Sequence, residues 1–240
     1  MIDKLLQLVR TTQSLENKGV AHFNTTLPIL LEVLKKTKHQ HYLLRLGNQI
    51  LETKSLKELE IGGRYFALMR HSSLGGIMLS SLKAEPKIPQ YFLESSLQDL
   101  KEILKTQKRG ELQDFALHKM TASETKEEFL SWGFFLLGLQ KEVLSLWLKE
   151  EEKRAFLQLR RKKNHLEFYA LFPHLGELSG RVFAIKEGVR VEIDVLYEGT
   201  AFLLDKNRAS LKGIDELLIR VRDKINPLFL AQEQLLDLKI

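Results

Sequence analysis

Apolar and polar residues alternate along the run 181–195, most cleanly on its second arm, and two shorter apolar-rich runs precede it, broken where a chain must turn. Ala155-Phe156-Leu157-Gln158-Leu159 and Leu166-Glu167-Phe168-Tyr169-Ala170-Leu171 predict two strands, with Arg160-Arg161-Lys162-Lys163-Asn164 as their turn. Residues 181–195 predict a β-hairpin. Val182, Ile185, Val189, Val191, Ile193 and Val195 supply β-branched mass, and charged residues interleave on the second arm, which therefore has one buried and one wet face. Lys186-Glu187-Gly188 is the turn, and Phe172-Pro173-His174-Leu175-Gly176 is a corner that launches the hairpin.

Other stretches carry helical spacing. Leu211, Ile214, Leu218, Val221 and Ile225 recur every three or four residues, which predicts an amphipathic helix stopped by Asn226-Pro227 and laid over the apolar face of the sheet. Leu97, Leu100, Ile103 and Leu104 predict one central helix, and Leu112, Phe115, Ala116 and Met120 a second. A third starts at Ser123, read as the cap of Ser-Glu-Thr-Lys, and runs through the apolar residues 129–148. Ile2 to Val9 predicts a short amphipathic helix, and residues 28–34 another with Pro28 in its first turn.

Between these regions the pattern changes to short strands: Tyr42-Leu43-Leu44-Arg45-Leu46, Gln49-Ile50-Leu51-Glu52-Thr53, residues 64–69 and residues 76–82, punctuated by paired turn residues such as Gly62-Gly63. That spacing predicts a small barrel of the OB or SH3 kind, closed off by the linker Pro86-Lys87-Ile88-Pro89. The fold expected is α+β. N-terminal helices occupy residues 1–36, a small β-barrel-like module 37–88 and a helical region 89–150; residues 151–240 form an antiparallel sheet covered by an amphipathic helix.

Composition narrows the chemistry. The 240 residues include no cysteine, which excludes disulfides, thiol nucleophiles and Cys-based metal or iron–sulfur sites and suits a reducing, cytoplasmic compartment. The first ten residues have polar positions every few places and no small-residue cleavage site, so no signal peptide is expected. Gln140-Lys141-Glu142 interrupts the apolar stretch 129–148, so it is expected to be a buried helix, with peripheral membrane contact at most. Net charge is +6, and the first ninety residues, with 13 Lys/Arg against 7 Asp/Glu, supply most of it. A modest basic excess suits an acidic protein, lipid or nucleic acid alike.

Candidate sites are few. His39-Gln40-His41 is the one close histidine pair, with no carboxylate at ligand spacing, and the glycine pairs lack a phosphate-loop context. Glu192 and Asp194 share a strand face but read as its wet side. No enzyme, cofactor or metal is expected. The densest basic cluster, Arg160, Arg161, Lys162 and Lys163, could meet phosphates or guard a sheet edge. Tyr42, Tyr65 and Phe66 beside Arg45, Arg64 and Arg70 would be the stacking platform of a nucleic-acid-binding barrel, the alternative function.

From Pro173 onward the chain resembles the C-terminal domain of the flagellar hook-length control protein family. Pro173, Leu175 and Gly176 match its proline–leucine–glycine corner, with His174 standing where an acidic residue is common. Glu177 to Val195 resemble the hairpin, and Leu211, Leu217, Leu218 and Arg220 resemble the following helix. Upstream, Tyr42 to Thr53 and Glu60 to Tyr65 are similar to a small β-module of shorter relatives. The resemblance implies a non-enzymatic role in the flagellar type III export apparatus. There the domain contacts the cytoplasmic part of the export gate's switch protein, and other export components, to change substrate specificity. It implies contact residues Pro173, His174, Leu175, Gly176, Leu217, Leu218 and Arg220, and a cytoplasmic location with export through the same system left open. The long extended half that measures hook length has no counterpart in this sequence.

Overall fold

The structure is a computed structural model and describes residues 26–55, 57–71, 77–105, 109–151 and 153–230. The helix expected over Ile2 to Val9 lies outside them. The described chain is mixed α+β, with two sheets and four α-helices.

The first sheet has five strands in the order β3-β2-β1-β4-β5: β1 Ile29–Lys38, β2 His41–Leu46, β3 Gln49–Lys54, β4 Arg64–His71 and β5 Ile77–Ala84. Four of these are the strands the glycine punctuation predicted. The fifth corrects the helix expected over residues 28–34, which is the central strand instead. Five apolar residues among Ile29 to Leu34 satisfy a buried strand as well as a helix turn, and burial settles it, since Leu31 and Val33 alternate into the core. The barrel is also corrected. Among the described residues β3 and β5 are unpaired with each other, so the sheet is open. Because β1 spans residues 29–38, it crosses the boundary expected at 36/37.

The second sheet has seven strands in the order β12-β11-β10-β9-β8-β7-β6. β7 Val143–Glu150, β8 Lys153–Arg161, β9 Leu166–Phe172, β10 Gly176–Ile185 and β11 Gly188–Val195 form an antiparallel meander. β6 Glu94–Ser95 joins β7 in parallel, and β12 Glu216–Val221 joins β11 in parallel. Thus β8, β9 and the β10–β11 hairpin stand where the sequence pattern placed them, with Ile185 opposite Gly188 across a two-residue turn.

Two helix expectations fail here. The stretch 129–148 is a helix only to Gln140; its last third is β7, so the meander begins before residue 151. The cap of that helix is Thr125, whose hydroxyl accepts from the amide of Glu128 at 3.2 Å, and not Ser123. The helix expected over residues 211–225 is β12. A parallel partner for β11 needs a crossover, and the helix that supplies it is Glu198–Lys206.

Helices α1 Leu97–Lys105, α2 Arg109–Thr121, α3 Lys126–Gln140 and α4 Glu198–Lys206 lie against one face of the large sheet and replace the single covering helix expected there. Leu100, Phe135, Leu139 and Leu204 meet Leu146, Leu157, Ala170, Leu178 and Ile193 in that core. The opposite face holds a second core, in which Phe66 of the small sheet packs with Phe156, Tyr169, Leu171, Tyr197 and Phe229. The two sheets therefore share one apolar seam. A third cluster around Val33, Tyr42, Leu44 and Met69 lies within the small sheet.

Candidate interaction surface

Proline fixes φ and ends strand β9 at Phe172, and the amide of Leu175 donates back to the Phe172 carbonyl at 3.4 Å. Gly176 then takes φ +77°, where a side chain is strained, and an added Cβ would sit 3.2 Å from the Tyr197 ring. Leu175, 1% exposed, plugs the helix-side core, while its carbonyl accepts from the Thr200 hydroxyl at 3.0 Å. Pro173 is exposed and His174 half-buried; burial, with the Lys153 charge, holds the imidazole of His174 below its ordinary pKa. Of the corner residues, then, Leu175 and Gly176 build the bend and Pro173 stands at the surface.

Directly after the corner lies a group that alternation alone does not disclose. Glu177 is buried in the seam and accepts a hydrogen bond from the Tyr169 hydroxyl at 3.0 Å. Burial pushes its carboxyl up to about 7, against the pull of Tyr169 and Lys83. Burial also raises Glu85, against Arg64 at 3.0 Å, and the Glu85 charge adds to the rise at Glu177. Burial and the Glu177 charge raise the phenols of Tyr169 and Tyr197. Tyr197 donates to the Ser81 carbonyl at 3.3 Å, and Lys83 donates to the Asp223 carbonyl, so polar groups stitch the seam that Phe66 fills.

The part of this face nearer β12 is charged. Arg220 reaches Asp194 at 2.8 Å and Glu192 at 3.2 Å, and Arg222 reaches Asp194 at 3.4 Å. The wet arm expected from Glu192 and Asp194 is therefore an ion-pair network. Register places Leu218 opposite Glu192 and Arg220 opposite Asp194, whereas Leu217 pairs with Val191 on the helix side. Leu217 is 3% exposed and belongs to the core, while Leu218 is 50% exposed. Of the seven expected contact residues, Pro173, Leu218 and Arg220 are offered to solvent and Leu175, Gly176 and Leu217 hold the sheet together. Pro173 sits at a strand end and Leu218 two strands away, so the set does not converge on one spot.

The basic cluster divides between the two faces of the sheet. Arg160 donates to Glu167 at 2.7 Å. Burial opposes ionisation of Glu167, but this bond and the Arg160, His165 and Lys162 interactions outweigh it and lower its pKa. Arg161 continues β8, and Lys162 and Lys163 form the turn; all three are exposed. The stacking platform does not assemble, because Tyr42 and Phe66 are 2% and 0% exposed and Tyr65 accepts from the Glu60 amide at 3.0 Å. His39 and His41 flank a tight turn at Gln40, with His41 3.9 Å from Glu52. Among the described residues no three His, Asp or Glu side chains cluster as metal ligands, and no helix is long and apolar enough to cross a membrane.

Sequence reasoning also missed Gln158. It lies fully buried on the seam face, where it accepts from the Leu228 amide at 2.8 Å and donates to the Phe229 carbonyl at 2.7 Å and to Ser145 at 3.2 Å. It fastens the segment after β12 across the sheet. The available signal was its position: it shares a strand face with Phe156, so a polar residue stood where an apolar one was due. No family model, curated protein or solved structure matches this chain.

Proposed function

We propose that this chain is a non-enzymatic protein-interaction module of the flagellar type III export apparatus, of the hook-length control or specificity-switch kind. The reading rests on the resemblance at Pro173, Leu175 and Gly176, and one observation carries it. Those residues form a sharp corner between two antiparallel strands, and a hairpin follows from the next strand, as the resemblance implies. Protein-recognition surfaces typically set apolar side chains inside a polar rim, and exposed Leu218 beside the Arg220, Asp194 and Glu192 network has that arrangement. The partner is the cytoplasmic domain of the export gate's switch protein.

The test is a pulldown between the purified chain and that domain. Leu218→Asp with Arg220→Ala alters exposed groups alone and is expected to abolish capture while circular dichroism stays unchanged. A wild-type chain that fails to capture the domain, or a double variant that captures it as well as wild type does, would overturn the assignment.

A further inference from the structure

The helical layer leaves a gap over the middle of the large sheet. α1 and α3 cover the β7 side and α4 covers β11 and β12; between them lies a cavity of about 200 Å³. Its walls include Leu100 and Leu104 of α1, Leu157 and Leu159 of β8, and Phe168 and Ala170 of β9, and every lining residue is apolar. Ala170 supplies depth, because it stands opposite Leu157 where a larger residue would fill the space. Leu104, 53% exposed, marks the mouth. An apolar cavity of about 150 Å³ is known to stay dry and to accept a small hydrocarbon, so this one has room for the end of an alkyl chain.

Charge at the rim says what kind of chain. Alternate residues of a strand share a face, so Arg161 follows Leu157 and Leu159 on the cavity side of β8, away from the Arg160–Glu167 pair. Its cross-strand partner, Leu166, lines the cavity, and Lys162 and Lys163 continue from Arg161 into the turn. Arg161 and Lys163 make no ion pair among the described residues. An apolar bore lined by Leu159 and by Leu166, the cross-strand partner of Arg161, with exposed Lys162 and Lys163 next along the chain, is complementary to an aliphatic tail with an anionic head.

We propose that this cavity binds a free fatty-acid-class amphiphile, its tail between α1 and the β8–β9 floor and its carboxylate at Arg161, Lys162 and Lys163. The site lies on the opposite face of the sheet from Leu218 and Arg220, and the proposal is independent of the export reading.

Decanoate, titrated calorimetrically into the full chain below its micellar concentration, is expected to bind saturably at one site. Decyltrimethylammonium, with the same chain length and the opposite charge, should bind at least about fivefold more weakly, the upper scale of one exposed charge contact. Ala170→Phe fills the bore and should abolish binding. Should that variant fail to fold, Arg161→Glu with Lys163→Glu changes exposed side chains alone and should reverse the preference between the two head groups. Absence of saturable decanoate binding would overturn the proposal, and would mean that the gap is empty or filled by the chain itself. Equal affinity for both head groups would overturn it too, as would association with phosphatidylglycerol vesicles without decanoate binding.

Discussion

At the scale of single residues, Gly176 and Glu177 stand side by side and act for opposite reasons. Gly176 is needed for its missing side chain. At φ +77° an alanine is strained and its methyl presses on Tyr197, so Gly176→Ala is expected to cost about 1–2 kcal/mol and to lower the melting temperature by several degrees. Glu177 is tolerated because it can hold a proton. Its carboxyl titrates near 7 in the folded chain against an ordinary 4.5, so folding takes up a proton between those values. The contribution is complete below pH 4.5 and is lost as pH rises through 7. Glu177→Gln keeps an acceptor for Tyr169 and removes the titration. Denaturant melts should show it about 2 kcal/mol more stable than wild type at pH 8 and indistinguishable at pH 4, with a flattened profile between. A variant that tracks wild type across that range would place the proton elsewhere.

At the scale of elements, β12 shows why one segment was legible and another was not. The β10–β11 hairpin has charges on alternate positions over a long arm and one turn glycine, so period two was unambiguous. In β12 Leu217, Leu218, Ile219 and Val221 are all apolar and only Arg220 interrupts them, and the run fitted a three-to-four spacing once Leu211 and Ile214 were counted with it. The same ambiguity hid β1, and the apolar continuity from Phe129 to Leu148 hid the change from α3 to β7. Which face each residue takes was fixed by partners distant in sequence, which a local pattern does not contain. The corner was legible because proline and glycine act locally, but Gln158 and the Tyr169–Glu177 pair were not, since both depend on what the seam brings over them. A direct contrast checks β12. Leu217→Asp buries a carboxylate and should cost about 4 kcal/mol or more, while Leu218→Asp should stay within about 0.5 kcal/mol, both read as shifts of the urea midpoint. Equal effects would contradict the strand register.

At the scale of the whole molecule, the seam decides whether two sheets behave as one body. Phe66 is fully buried against residues of the other sheet, and Tyr197 and Lys83 bond across the same junction. Phe66→Ala should therefore destabilise the protein by about 3–5 kcal/mol. It should also split a single unfolding transition, followed by fluorescence and circular dichroism together, into two that no longer coincide. The Gln158 clamp carries the same logic into biosynthesis. The clamp closes on Leu228 and Phe229, and Phe229 shares the apolar cluster of Phe66, which a ribosome delivers far earlier. During translation the small sheet must wait with its greasy side uncovered. Final docking is thus completed only when Leu228 and Phe229 emerge, and a truncation upstream of Leu228 leaves the Gln158 amide without those two partners and the Phe229 side of that surface open for chaperones or aggregation to find.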